Sequence, residues 1–317
     1  MKKLLLSICS IFLIVSCGSS DGGKNTGASD DKKYTIAILT WSMAEEFGVD
    51  VVNGAKSKAE ELGNIQVIHP DPAGDMQKEI AILEDLILQK VDAICVAPVD
   101  ANAVVPYIDK VMEAGIVLVN YDIETDAEVS AKVLSDNKAG GAMAAEYLVE
   151  RMGNTGQVLI LTEVPGVTTA EERIEGFKEK MKEIAPNVEL IEQLSSGTRD
   201  THRATTENML QAYPGIKGIF CFMGDNTLGA YTACKANNRT DVLISGYDAT
   251  KEQFVIMSND GPDCNLISSV GLYPSKIGAI SLETAYKILE GQTVDKTIYT
   301  EIGLLKANEL GNYDDYK

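Results

Sequence analysis

From residue 34 onward the chain alternates short apolar runs, rich in β-branched residues, with longer segments of helical period. The runs fall at 35–40, 65–69, 93–98, 116–121, 133–134, 158–162, 188–193, 218–222, 242–247 and 266–270. Between them, 44–62 carries Phe47, Val51, Val52, Ala55, Ala59 and Leu62 on one stripe, which predicts an amphipathic helix. The same period predicts helices over 75–89, 101–114, 138–152, 169–184, 201–212, 226–237 and 275–289. Gly63, Gly115, Gly153, Gly215 and Gly291 stand where these helices should stop. Repeated strand-helix-strand order with wholly apolar strands implies an α/β fold, with parallel sheets covered on both faces. Some ten strands fit two sheets of about five or six better than one. In such folds ligands bind beyond the C-terminal ends of the strands. The residues there are polar: Ser42, Asp71, Asp100, Asp122, Asp136, Asn137, Glu163, Asp200, Asp225, Asn226 and Asp248. Any one of them also suits a helix N-cap; their concentration is what points to a site.

The first 33 residues read differently. Lys2 and Lys3 precede an apolar stretch over 4–15, broken only by Ser7 and Ser10, and then Ile14-Val15-Ser16-Cys17. That is the layout of an export signal, and the apolar stretch is too short to span a bilayer. The tetrapeptide resembles a bacterial lipobox, which implies a signal over 1–16 and a diacylglyceryl group on Cys17. Residues 18–33 are rich in Gly, Ser, Asp and Lys and read as a solvated linker. The expectation is a soluble body held to a membrane by acyl chains outside the cytoplasm; a plain secretory signal that happens to hold a cysteine is the alternative.

The chain carries 28 basic and 47 acidic residues, a net charge of −19. Such a surface repels nucleic acid and anionic lipid, so neither is an expected partner beyond the acyl anchor. Of six cysteines, Cys9 belongs to the signal and Cys17 to the lipobox. Cys95 and Cys221 sit in apolar runs and read as core, while a Cys234–Cys264 pair is left open. With only His69 and His202, no metal or cofactor is expected. No G-x-S-x-G, P-loop or H-E-x-x-H motif is present, so an enzyme is not expected.

Several phrases carry a family likeness: QKVDAICVAPVDANAV at 89–104, EAGIVLVNYD at 113–122, LSDNKAGGAMAAEYL at 134–148, ERIEGFKEKM at 172–181, ENMLQAYPGIKGIF at 207–220, TLGAYTACKAN at 227–237 and ISGYDAT at 244–250. The stretch from 34 to about 309 resembles the type I periplasmic sugar-binding proteins of ABC transporters, the ribose/galactose-binding group. The resemblance implies two Rossmann-like lobes joined by a three-strand hinge and closing on one small ligand. The lobes would be discontinuous, 34–136 plus 272–297 and 137–271 plus 298–309. Repressors share these sheets, but no basic recognition helix precedes Tyr34 here.

The resemblance also implies ligand positions. Asp122 and Asp248 match acids that accept sugar hydroxyls. Arg173 matches an arginine of the family phrase, whereas the arginines expected at 123 and 171 are Ile123 and Glu171. The first loop reads Glu45-Glu46-Phe47-Gly48 with Trp41 upstream; Arg199, Asp225 and Tyr273 stand at other departures, with Phe222 and Asp136 nearby. Trp41, Phe47 and Phe222 are ring-stacking candidates or packing residues, and Glu171 either accepts hydroxyls or pairs with Arg173. Loss of arginines with retention of acids favours a neutral monosaccharide or polyol over an anion. The expected partner is an ABC permease, and the expected state a monomer. A sensor for a signal molecule or nucleoside-like ligand is the second reading.

Overall fold

A computed structural model describes residues 33–316 except 165 and 166, so the lipobox and linker expectations lie outside the described residues. The order is β1 (Tyr34–Leu39), α1 (Glu46–Leu62), β2 (Ile65–Ile68), α2 (Met76–Gln89), β3 (Ala93–Val96), α3 (Val105–Glu113), β4 (Val117–Tyr121), β5 (Ala131–Ser135), α4 (Asn137–Met152), β6 (Gly156–Thr162), α5 (Thr168–Ile184), β7 (Val188–Leu194), α6 (Arg199–Ala212), β8 (Ile216–Phe220), α7 (Gly224–Ala236), β9 (Leu243–Tyr247), α8 (Lys251–Asp260), β10 (Leu266–Gly271), α9 (Pro274–Leu289), β11 (Thr297–Thr300) and β12 (Gly303–Lys306).

Two six-stranded sheets result, ordered β11-β5-β4-β3-β1-β2 and β12-β10-β9-β8-β6-β7. The first is parallel throughout; in the second only β12 runs antiparallel, Ser268 facing Lys306. Central strands such as β3 and β10 are buried at every position, because helices cover both faces. The edge strand β7 is only partly covered, with Glu189 and Glu192 exposed. One apolar core joins the two lobes beneath α1 and α9 on one side and α4 and α5 on the other. Separate cores lie under α2 and α3 and under α6, α7 and α8.

The chain passes between sheets at Asp136, at Leu272 and Tyr273, and at Glu301 and Ile302. β11 pairs with β5 up to Thr300, so the last crossing falls beyond the boundary at 297 expected from sequence. Helix α8 and the short strands β11 and β12 were not among the elements the periodicity predicts. Two of them hold only four residues each, too few for a period to register. Helix α8 did carry a signal, the Thr250 hydroxyl that accepts the Gln253 N–H as an N-cap. Cys95, Cys221, Cys234 and Cys264 are buried free thiols. Among the described residues no helix is long and apolar enough to cross a membrane.

Candidate functional site

The strand ends of both sheets deliver acids at unusual backbone angles. Asp122 follows β4 with φ 58°, and Asp248 follows β9 with φ 76°. Aspartate is among the few residues other than glycine that tolerate this left-handed region. The turn takes each residue out of the sheet line and leaves its carboxylate at the strand end.

Asp248 is held from two directions. The Gly224 N–H, at the start of α7, donates to its Oδ2 at 2.7 Å, where the helix N-terminus favours negative charge. Arg173 Nη1 stands 3.5 Å from Oδ1. Arg173 itself is buried on α5. Its Nε donates to Asn137 Oδ1 at 2.9 Å, its Nη1 donates to the Phe222 carbonyl at 2.9 Å, and its guanidinium lies 4.1 Å over the Tyr247 ring. Desolvation of a guanidinium is compensated only by such a full set of acceptors. The placement depends on close approach of α4 and α5. A Cβ at Gly141 would collide with the Arg173 carbonyl, and one at Gly176 with the Lys138 carbonyl. Those two glycines set where Arg173 stands.

Across from this cluster the Asp122 carboxylate has no hydrogen-bond partner among the described residues; only its backbone N–H is tied, to the Val133 carbonyl. Burial pushes its pKa up to about 6, Arg173 pulls it down, and Asp248 pushes it further up. Burial likewise raises Asp248, against the pull of Arg173 and the Gly224 N–H. Arg173 thus pulls on the charge of both acids, one from each lobe, and meets Asp248 directly. Oriented carboxylates and a guanidinium supply hydroxyl acceptors and a hydroxyl donor at fixed positions.

The remaining sequence candidates are placed as follows. Trp41 is half-buried, and its carbonyl accepts the Gly74 N–H at 2.7 Å. Glu45 is exposed at the N-cap of α1, and Phe47 packs against the joint core. Phe222 contributes its carbonyl to Arg173, while its ring is core. Asp136 caps α4 by accepting the Ala139 N–H at 2.9 Å. Arg199 is bound to Asp225 and Glu252, each at 2.9 Å, so these two candidates meet each other on the surface. The Tyr273 ring stacks on Tyr316 at 6.5 Å. Glu171 is exposed on an outer groove of about 990 Å3 between α5 and β7, and Arg173 has Asn137, Phe222 and Asp248 as partners instead. Asn137 is the residue that reasoning from sequence undervalued. Its position after β5 was visible, but its grip on Arg173 follows only from the α4–α5 crossing. Among the described residues no His, Cys, Asp and Glu group is arranged to hold a metal.

Comparison with known proteins agrees with this architecture. Residues 36–293 match the periplasmic binding protein domain. The chain is 29% identical over 310 residues to the ribose import binding protein of Bacillus subtilis, covering 96% of this chain and 99% of that one. It is 30% identical over 324 residues to the D-ribose/D-allose-binding protein of Pseudomonas aeruginosa, covering 97% of each. An ABC transporter periplasmic solute binding protein from Actinobacillus succinogenes, solved with bound D-allose, superposes with a TM-score of 0.78 at 27% identity, over 87% of this chain and 98% of that one. The two lobes, the strand-end acids and these matches together lead to one assignment: the chain belongs to the periplasmic binding protein domain family.

Proposed function

We propose that this protein is an extracytoplasmic solute-binding protein, not an enzyme, that captures a neutral monosaccharide or polyol and hands it to an ABC permease. The observation that carries the reading is the convergence of Asp122, Arg173 and Asp248 from two lobes, with the Asp122 carboxylate unbonded among the described residues. Relatives named for ribose import, for D-ribose/D-allose binding and for D-apiose import, and a neighbour of TM-score 0.77 solved with bound glycerol, support the ligand class. Ligand contacts from both lobes favour the closed arrangement, which the permease then recognises. In this reading the lobes are 34–136 plus 272–300 and 137–271 plus 301–309, with the last crossing after β11. Cys17 carries the lipid anchor, and the protein acts as a monomer.

A thermal-shift screen against D-ribose, D-allose, glycerol, nucleosides and amino acids tests the ligand class. A binder at a hundredfold excess over its Kd stabilises by about 2.7 kcal/mol. A shift with neutral sugars or polyols is expected; a shift with charged amino acids alone overturns the reading. Metabolic labelling with palmitate in the wild type, lost in Cys17→Ser, tests the anchor.

A further inference from the structure

The chain does not end with the last strand of the second sheet. After β12 it turns back, and a 3-10 turn over Tyr313–Tyr316 packs against residues of both lobes. The turn is closed by the Asp315 N–H donating to the Asn312 carbonyl and the Asn312 N–H donating to Asp315 Oδ2. Tyr313 lies with its ring 5.5 Å from Phe254 of α8, in the C-terminal lobe. Its hydroxyl donates at 3.2 Å to Glu46 Oε1, in the first turn of α1 of the N-terminal lobe. Tyr316 stacks on Tyr273, at the crossing between β10 and α9.

Both ends of this tie matter for geometry. Helices α1 and α8 begin just after the C-terminal ends of β1 and β9, on the same side of each sheet as Asp122 and Asp248. Tyr313 thus joins the two lobes on their ligand-facing side, while Tyr316 fixes the tail to the hinge. A hydrogen bond to a carboxylate is among the stronger ones, and the aromatic contacts keep the donor in place.

We propose that the C-terminal turn is an interlobe strap, with Tyr313 as a positioning residue whose bond to Glu46 holds the lobes near their closed separation before any ligand arrives. The proposal rests on the two-lobe cleft but not on the identity of the ligand, so its test uses none. Single-pair FRET in the full chain, between dyes on unnatural amino acids at Gln77 and Asp200, reads the lip of the cleft away from the hinge. Both positions are exposed, on the helices after the edge strands β2 and β7. Tyr313→Phe keeps the ring and removes the donor. It should move the open-to-closed ratio about tenfold toward open, equivalent to ~1.4 kcal/mol, with the melting temperature changed little. Glu46→Ala, which removes the acceptor, should give a comparable shift, and the double variant no more than either alone. An unchanged distance distribution in Tyr313→Phe, or shifts that simply add in the double variant, overturns the strap. If the screen with sugars fails while this shift is present, the ligand assignment falls and the strap stands.

Discussion

In the C-terminal lobe Asp248 is bound by a helix N-terminus and lies against a buried arginine, whereas Asp122 in the N-terminal lobe has only its backbone tied among the described residues. The two acids occupy equivalent places, each just past a parallel strand and each at positive φ. Their surroundings differ because α4 and α5 cross at two glycines and carry Arg173 with Asn137 to the end of β9. The N-terminal lobe has a glycine-lined crossing too, where Gly54 meets Ser275 and Gly278 meets Val51. No arginine stands there. One half of the proposed site is therefore preformed within its lobe, and the other half is left to what lies opposite. Fixed acceptors on one side give orientation, while an acid with no side-chain hydrogen bond among the described residues leaves an acceptor for a ligand hydroxyl.

Removing the preformed half should have the largest effect. Arg173→Met leaves Asp248 without its cation and strips Asn137 and the Phe222 carbonyl of their donor. Breaking a buried pair in this way costs about 3–5 kcal/mol, read as a lowered denaturation midpoint in urea. Sugar binding measured by calorimetry should vanish with it. If Arg173→Met keeps wild-type stability, the contrast between the lobes is wrong.

The two acids should differ in degree. Burial raises Asp248 as well, against the pull of Arg173 and the Gly224 N–H, so Asp248→Asn gives up a charge that is largely offset and should change stability by less than about 1 kcal/mol. Asp122→Asn should stabilise the ligand-free protein by about 1 kcal/mol at pH 7, while both variants weaken sugar binding. The pH dependence gives the same sign. Asp122 titrates at about 6 in the folded chain against 3.8 as an ordinary aspartate, so the folded form holds a proton that the unfolded form has released. The stability linked to that proton is full below about pH 4 and is lost as pH rises through about 6. Buried Glu79 accepts the Val99 N–H on both oxygens, and burial raises it to about 7, which extends the loss of stability to about pH 7. Calorimetric scans from pH 4 to 8 should show the fall in the wild type, a shallower one in Asp122→Asn, and a further flattening in the double variant Asp122→Asn, Glu79→Gln. A wild-type profile in either variant would sink the assignment for the residue changed.

Arg199→Ala should do least. Its bonds to Asp225 and Glu252 are solvent-exposed, and such pairs contribute below about 1 kcal/mol. Unchanged sugar affinity is expected. A large drop would return Arg199 and Asp225 to the site.

Much of this molecule was readable from the chain. The β-branched runs and helical stripes announced two covered parallel sheets, because burial on both faces forces strands to be apolar throughout. The positions after the strands were where a ligand was expected to sit. Asp122, Arg173 and Asp248 were named as candidates on resemblance. Helix α8, the short β11 and β12 and the tail beyond 309 went unread. Their stabilising contacts, such as Tyr313 with Phe254 and Tyr316 with Tyr273, join residues distant in sequence. The same holds for Phe222, whose ring could be ligand or core until its neighbours were known.

The sequence by itself determined the alternation of elements, their amphipathic faces and the acids at the strand ends, since local period and turn chemistry are properties of short segments. Only the tertiary structure decided that Arg173 belongs to Asp248 rather than Glu171, that Arg199 and Asp225 pair with each other, and that Tyr313 touches both lobes. Those choices depend on which helices cross closely and on what solvent is excluded there, and hydrogen bonds and ion pairs acquire their strength from that exclusion.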